Sequence, residues 1–97
     1  MHVCTFRYDA EAQTTRVIEA LEQALALVGH SLSDLIKVNC YLVDLADMPA
    51  FGKAYSRYFD AKTGPARTTV VVKALPHKDI RVEIEGIALE RKNCSKL

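Results

Sequence analysis

The sequence predicts an α+β fold in which two helices pack on one face of a mostly antiparallel sheet. Three observations carry this reading. Residues 10–28 place Val17, Ile18, Leu21, Leu25 and Val28 at helical spacing, which gives a helix one apolar stripe. Residues 36–42 alternate Ile36, Val38, Cys40 and Leu42 with Lys37, Asn39 and Tyr41, the period of a strand with one dry face. Two β-branched runs, 66–75 and 80–90, flank a Pro-His-Lys-Asp turn. Helices and mostly consecutive strands on one short chain define the class.

Each element has its own signals. Residues 3–6, VCTF, read as a short strand. Asp9 is placed to cap the first helix, Glu11 suits the positive end of its dipole, and Gly29 suits the left-handed residue just past its end. Asp47 before Pro49 opens a second helix, because proline's missing donor costs nothing in a first turn. Met48, Phe51, Tyr55, Tyr58 and Phe59 then form one stripe, read as packing against the sheet. A Gly-Pro loop leads into ARTTVVVKAL and, after the turn, IRVEIEGIALE. These two runs are expected to pair as an antiparallel hairpin.

A chain of 97 residues forms one domain, here residues 1–90, followed by a polar tail at 91–97. The hydrophobic share of 49% and a net charge of +1 belong to a globular protein. Acids and bases interleave, with no basic stripe to recruit nucleic acid. Cys4, Cys40 and Cys94 are odd in number and lack a Cys-x-x-Cys pair, which argues against metal or disulfide use and for a reducing compartment. No apolar run reaches the roughly 18 residues that a membrane span needs. MHVCTFRYD is too short and polar for a signal peptide. A soluble intracellular protein is the expectation.

Arg67 stands at the threshold of the TTVVV run and raises the question of which anion it holds. Strand alternation sorts Thr68, Val70, Val72 and Ala74 with Ile80, Val82, Ile84, Gly86 and Ala88 on a helix-covered face. It sorts Arg67, Thr69, Val71 and Lys73 with Arg81, Glu83 and Glu85 on the other, joined by Lys37 and Asn39. That second face is open to two readings. Cross-strand charges can make surface ion pairs worth at most about 1 kcal/mol. Alternatively, a neighbouring subunit covers the face and leaves Arg67 and a glutamate in a cleft, where the guanidinium fork suits a small carboxylate. His2, His30 and His77 are scattered and form no catalytic set, Ser31 and Ser33 lack a paired base, and no phosphate-cradling glycine loop is present.

GPARTTVVVKALP followed by IRVEIEGIAL, with EAQT at 11–14, LIKVNCYLVDL and the Tyr55 to Phe59 helix end, resembles the Rid proteins, the RidA-type enamine and imine deaminases also described as ribonucleases and translation inhibitors. The resemblance covers residues 8–90. It implies a chorismate-mutase-like fold and a homotrimeric barrel with ligand clefts between neighbours. It implies that Arg67 binds the substrate carboxylate, that Glu83 positions or activates the attacking water, and that Thr69 lies beside the ligand. The implied reaction is hydrolysis of a 2-imino acid or enamine, such as 2-aminoacrylate, to a 2-keto acid and ammonia, without metal or organic cofactor. Two departures accompany it. MHVCTFRYD stands where the family carries an additional strand pair, and Gly52 stands where an asparagine is frequent.

Two other functions remain open from the sequence: a non-catalytic oligomeric binder of small carboxylates or of a partner protein, and RNA cleavage or translation inhibition. Near-neutral charge weighs against the latter. Ser95, Lys96 and Leu97 spell S-K-L, the tripeptide read by the peroxisomal import receptor. Peroxisomal or glycosomal location is the expectation, with the cytoplasm as the alternative.

Overall fold

A computed structural model describes residues 9–90. Helix α1 spans Ala10–Leu27. Asp9 starts it by accepting hydrogen bonds from the Glu11 amide at 2.9 Å and the Ala12 amide at 3.3 Å, donors that have no partner within the helix. Gly29 ends it with φ of 81°, a conformation glycine adopts without strain. The His30 amide can then reach back to the Leu25 carbonyl at 2.8 Å. Both ends agree with the sequence expectation.

Strand β1 spans Leu35–Leu42, helix α2 Met48–Tyr55, strand β2 Ala66–Val71 and strand β3 Val82–Ala88. Among the described residues the sheet order is β2-β1-β3, with β1 parallel to β2 and antiparallel to β3. The expected hairpin between 66–75 and 80–90 does not form, because β1 lies between its two strands and the sheet is mixed. The apolar face of β1 explains the arrangement. Val38, Cys40 and Leu42 are at 0% exposure, and a strand is covered so fully only with neighbours on both sides. The parallel pair needs a crossover, which α2 supplies. Residues 72–81 then round the end of β1, where the Val72 amide bonds the Leu42 carbonyl and the Val43 amide bonds the Arg81 carbonyl.

Both helices cover the face that carries Val38, Cys40 and Leu42. Ile18 of α1, Phe51 and Tyr55 of α2, and Val82 and Ile84 of β3 complete one core cluster. Burial of each large side chain here contributes about 1.5–3 kcal/mol. The aromatic stripe of α2 packs as expected, with ring centroids 5.5 Å apart for Phe51 and Tyr55 and 4.7 Å for Tyr55 and Phe59. One expectation for β1 is corrected. The register against β3 shifts between Leu35 and Lys37, so Leu35 is buried and Ile36, expected on the dry face, is 49% exposed.

Gln13 ties α1 to the start of β3. Its Nε2 donates to the Asp79 carbonyl at 2.9 Å and its Oε1 accepts from the Arg81 amide at 2.7 Å. Arg81 in turn donates from Nε to Asp47 Oδ2 at 2.8 Å, so its charge is spent on the approach to α2 rather than on the second sheet face. No described helix is long and apolar enough to cross a membrane.

Candidate active site

Register decides which side chains can meet. In the parallel β1–β2 pair, Val38 lies beside Arg67 and Cys40 beside Thr69. Arg67 and Thr69 therefore share the helix-covered side with Val38 and Cys40. This corrects the sequence expectation, which grouped them with Glu83 and Glu85. The cation is tolerated there because, among the described residues, β2 is an edge strand and Arg67 stays exposed. Its guanidinium carbon stands 4.6 Å from the Tyr55 ring centroid and 5.3 Å from that of Phe51. Aromatic faces attract a cation while the stem lies over apolar surface.

Glu83 lies on the opposite side, beside Tyr41 in the β1–β3 register. That side is an ordered polar lattice. Lys37 Nζ donates to Thr68 Oγ1 at 2.6 Å, and Glu85 Oε2 accepts from Tyr41 Oη at 2.6 Å and from Asn39 Nδ2 at 3.1 Å. The Tyr41 hydrogen bond, then that of Asn39, holds the Glu85 carboxyl below the usual carboxylate range. The same hydrogen bond pushes the Tyr41 phenol up. One protomer thus brings Arg67 and Thr69 together and keeps Glu83 across the sheet from both.

Beneath Arg67 the site is polar and buried. Among the described residues Thr69 Oγ1 and Tyr55 Oη are buried without hydrogen-bond partners, a costly state for a hydroxyl unless a ligand or water meets it. Burial pushes the Cys40 thiol up, opposed by the charge of Arg67 and then by the Thr69 hydroxyl. The hydroxyl lies near enough to the thiol to favour its charged form, yet no contact in hydrogen-bond geometry joins them. Burial also raises the Tyr55 phenol, with the proximity of Cys40 adding and Arg67 opposing. Beside this cluster opens a cavity of about 530 Å³ walled by Gly52, Tyr55, Ser56, Phe59, Asp60, Ala61, Pro65, Ala66 and Arg67. Asp60 Oδ1 is occupied by the Lys62 and Thr63 amides at 2.6 and 3.3 Å. Among the described residues no carboxylate pairs with Arg67, whereas Arg57 and Arg81 both have acidic partners.

Sequence reasoning missed the platform itself. Phe51 and Tyr55 were legible as an i, i+4 aromatic pair, but that spacing signals core packing and says nothing about what the outer ring faces carry. In the sequence Cys40 reads as a dry-face residue without metal or disulfide use, and nothing there places it beneath Arg67. Among the described residues no group of three His, Cys, Asp or Glu could hold a metal ion. The expected strand at 3–6 and the tripeptide Ser95, Lys96 and Leu97 lie outside the described residues.

Two helices on one face of a three-stranded sheet and a cavity beside a guanidinium define the chain's class, and comparison with known proteins gives its family. Residues 3–90 match the family model described as Endoribonuclease L-PSP. The chain belongs to this family, which includes the Rid proteins. A RutC family protein of Pyrococcus abyssi is 45% identical over 80 residues, 82% of this chain and 61% of the relative. The Escherichia coli protein named "Putative reactive intermediate deaminase TdcF" is 34% identical over 83 residues, 84% of this chain and 64% of that protein. A Schizosaccharomyces pombe relative, 40% identical over 81 residues, 80% of this chain and 49% of the relative, is named mitochondrial. Among solved structures, a YjgF family member from Neisseria meningitidis superposes with a TM-score of 0.81 at 27% identity, covering 88% of this chain and 71% of that one. The fold is the chorismate-mutase-like fold of these neighbours. The chain spans about three fifths of the length of the curated relatives it matches.

Proposed function

We propose that this chain hydrolyses 2-imino acids and their enamine tautomers, such as 2-aminoacrylate, to 2-keto acids and ammonia, working as a homotrimer without a cofactor. One observation carries the reading. The Arg67 guanidinium is held on the Phe51–Tyr55 platform at a cavity, with no carboxylate partner among the described residues. A relative named as a reactive intermediate deaminase supports the same chemistry.

In this mechanism the Arg67 fork grips the substrate carboxylate, and Thr69 Oγ1 offers its unmet hydrogen bond to the bound acid. A water held by Glu83 adds to the C=N carbon as a proton passes to the nitrogen. The tetrahedral carbinolamine then collapses: its hydroxyl proton passes to the amino nitrogen, the C–N bond breaks, and ammonia departs as the C=O bond forms. An imine carbon is already electrophilic, so orientation supplies most of the catalysis. Glu83 cannot reach Arg67 within one protomer, because the sheet separates them. In this reading a neighbouring copy supplies it. Glu83 borders a second, apolar cavity with Val17, Val82 and Ile84, at the strand edge away from β2.

The separation of Glu83 from Arg67 across the sheet favours a second reading, a binder of small carboxylates that turns nothing over. One experiment separates the two. An amino-acid oxidase generates the imino acid in situ, and keto-acid release is followed with and without the protein. Acceleration that falls ten- to hundredfold in Arg67→Lys, with Glu83→Gln losing rate while retaining ligand binding, is the expected result. No acceleration, with keto-acid binding intact, selects the binder. The import role of Ser95, Lys96 and Leu97 is also a proposal. A fluorescent fusion carrying this tail is expected to be punctate in cells with working peroxisomes, and a diffuse signal returns the assignment to the cytoplasm.

A further inference from the structure

We infer that Gly52 sets the substrate size of this site, leaving room beside Arg67 for carboxylates that carry a bulky apolar side chain. This rests on the carboxylate-binding reading of Arg67. Gly52 lies inside α2, the eight-residue helix Met48–Tyr55, where glycine is among the least favourable residues. Among the described residues nothing in the packing requires it. Its φ is not positive, and a Cβ built on it would meet no atom within 4 Å. Gly64 and Gly86 differ, since a Cβ there would come within 2.6 Å of the Asp60 carbonyl and 2.8 Å of Leu35. The space that Gly52 leaves empty belongs to the wall of the Arg67 cavity.

The rest of that wall indicates what the space accepts. Tyr55, Phe59, Ala61 and Pro65 present apolar surface, Ser56 follows Gly52 one helical turn later, and the Asp60 carboxylate on the same wall is engaged by the Lys62 and Thr63 amides. Phe59 and Tyr55 are each 8% exposed, so the aromatic wall is fixed by the core behind it. A volume of about 530 Å³ falls in the range of pockets that enclose ligands well beyond a three-carbon acid. With the carboxylate on Arg67, a branched or aromatic side chain would extend along α2 over the bare backbone of Gly52. A side chain at position 52 would occupy that path.

The stable product acids pyruvate and phenylpyruvate serve as probes, titrated by NMR or calorimetry into the full chain and into Gly52→Ala and Gly52→Leu. Circular dichroism confirms helix content, which alanine and leucine both favour over glycine. The wild type is expected to bind phenylpyruvate at least tenfold more tightly than pyruvate. Gly52→Leu should lose tenfold or more for phenylpyruvate and less than twofold for pyruvate, with Gly52→Ala between. Equal wild-type affinity for the two acids, or unchanged phenylpyruvate binding in Gly52→Leu, overturns the inference while leaving Arg67 as the carboxylate site. Failure of the wild type to bind either acid overturns the Arg67 reading and this inference with it.

Discussion

A guanidinium lying over two aromatic rings has a surface to rest on before any ligand arrives, and this separates Arg67 from a lysine at the same place. Arg67→Lys keeps the charge but loses the planar stack and the two-pronged grip. The affinity for 2-keto acids, measured by titration, should fall by the ten- to hundredfold that corresponds to about 1.5–3 kcal/mol for such a contact. A second test at this scale concerns the opposite face. Glu85 is held below its ordinary pKa by Tyr41 and Asn39. Its stabilisation is therefore complete above the ordinary carboxylate range and is lost as pH falls through the lowered value. Tyr41 is shifted upward by the same bond, so its share is complete below the ordinary phenol range and is lost as pH rises through the raised value. Tyr41→Phe should move the Glu85 titration midpoint upward in a carboxyl-resolved NMR titration. An unmoved midpoint would show that the bond is absent in solution.

Helices and strand positions were legible because each carries its own period and its own stops: Asp9, Gly29, Pro49, and the alternation of β1. Pairing was not. Adjacent β-branched runs suggest a hairpin, yet the strand with the driest face took the centre, and no local signal in ARTTVV announces a parallel neighbour. The face of Arg67 was illegible for a related reason. Along β2 every residue except Thr69 is exposed, so apolar and polar positions do not alternate and parity could not be read. The candidate site was legible in Arg67 and Thr69 but not in the Phe51–Tyr55 platform, which needs the tertiary fold. Two substitutions test how the elements are joined. Gln13→Ala removes both hydrogen bonds from α1 to the start of β3 and should cost about 1–3 kcal/mol in denaturant unfolding. Gly64→Ala drives a Cβ against the Asp60 carbonyl and should cost about 1–3 kcal/mol through strain in the loop that delivers Arg67.

The placement of Arg67 and Glu83 on opposite faces makes a claim about the whole assembly. If each site takes Arg67 from one copy and Glu83 from the next, Arg67→Lys and Glu83→Gln defects lie in different subunits' contributions. Unfolding the two inactive variants together at equal amounts and refolding them should restore about a quarter of wild-type turnover, the share of sites in a randomly mixed cyclic oligomer that receive both intact residues. No recovery would place both residues' roles within one subunit or deny them altogether. The central position of β1 has a further, kinetic consequence. Its backbone is bonded on both sides, to β2 and to β3, so opening it requires losing both neighbours and the core above. In amide hydrogen exchange, Val38 to Leu42 should therefore exchange only through global unfolding, while β2 and the start of β3 exchange through smaller openings. The strand that the sequence marks most plainly would then be the last part of the molecule to admit solvent.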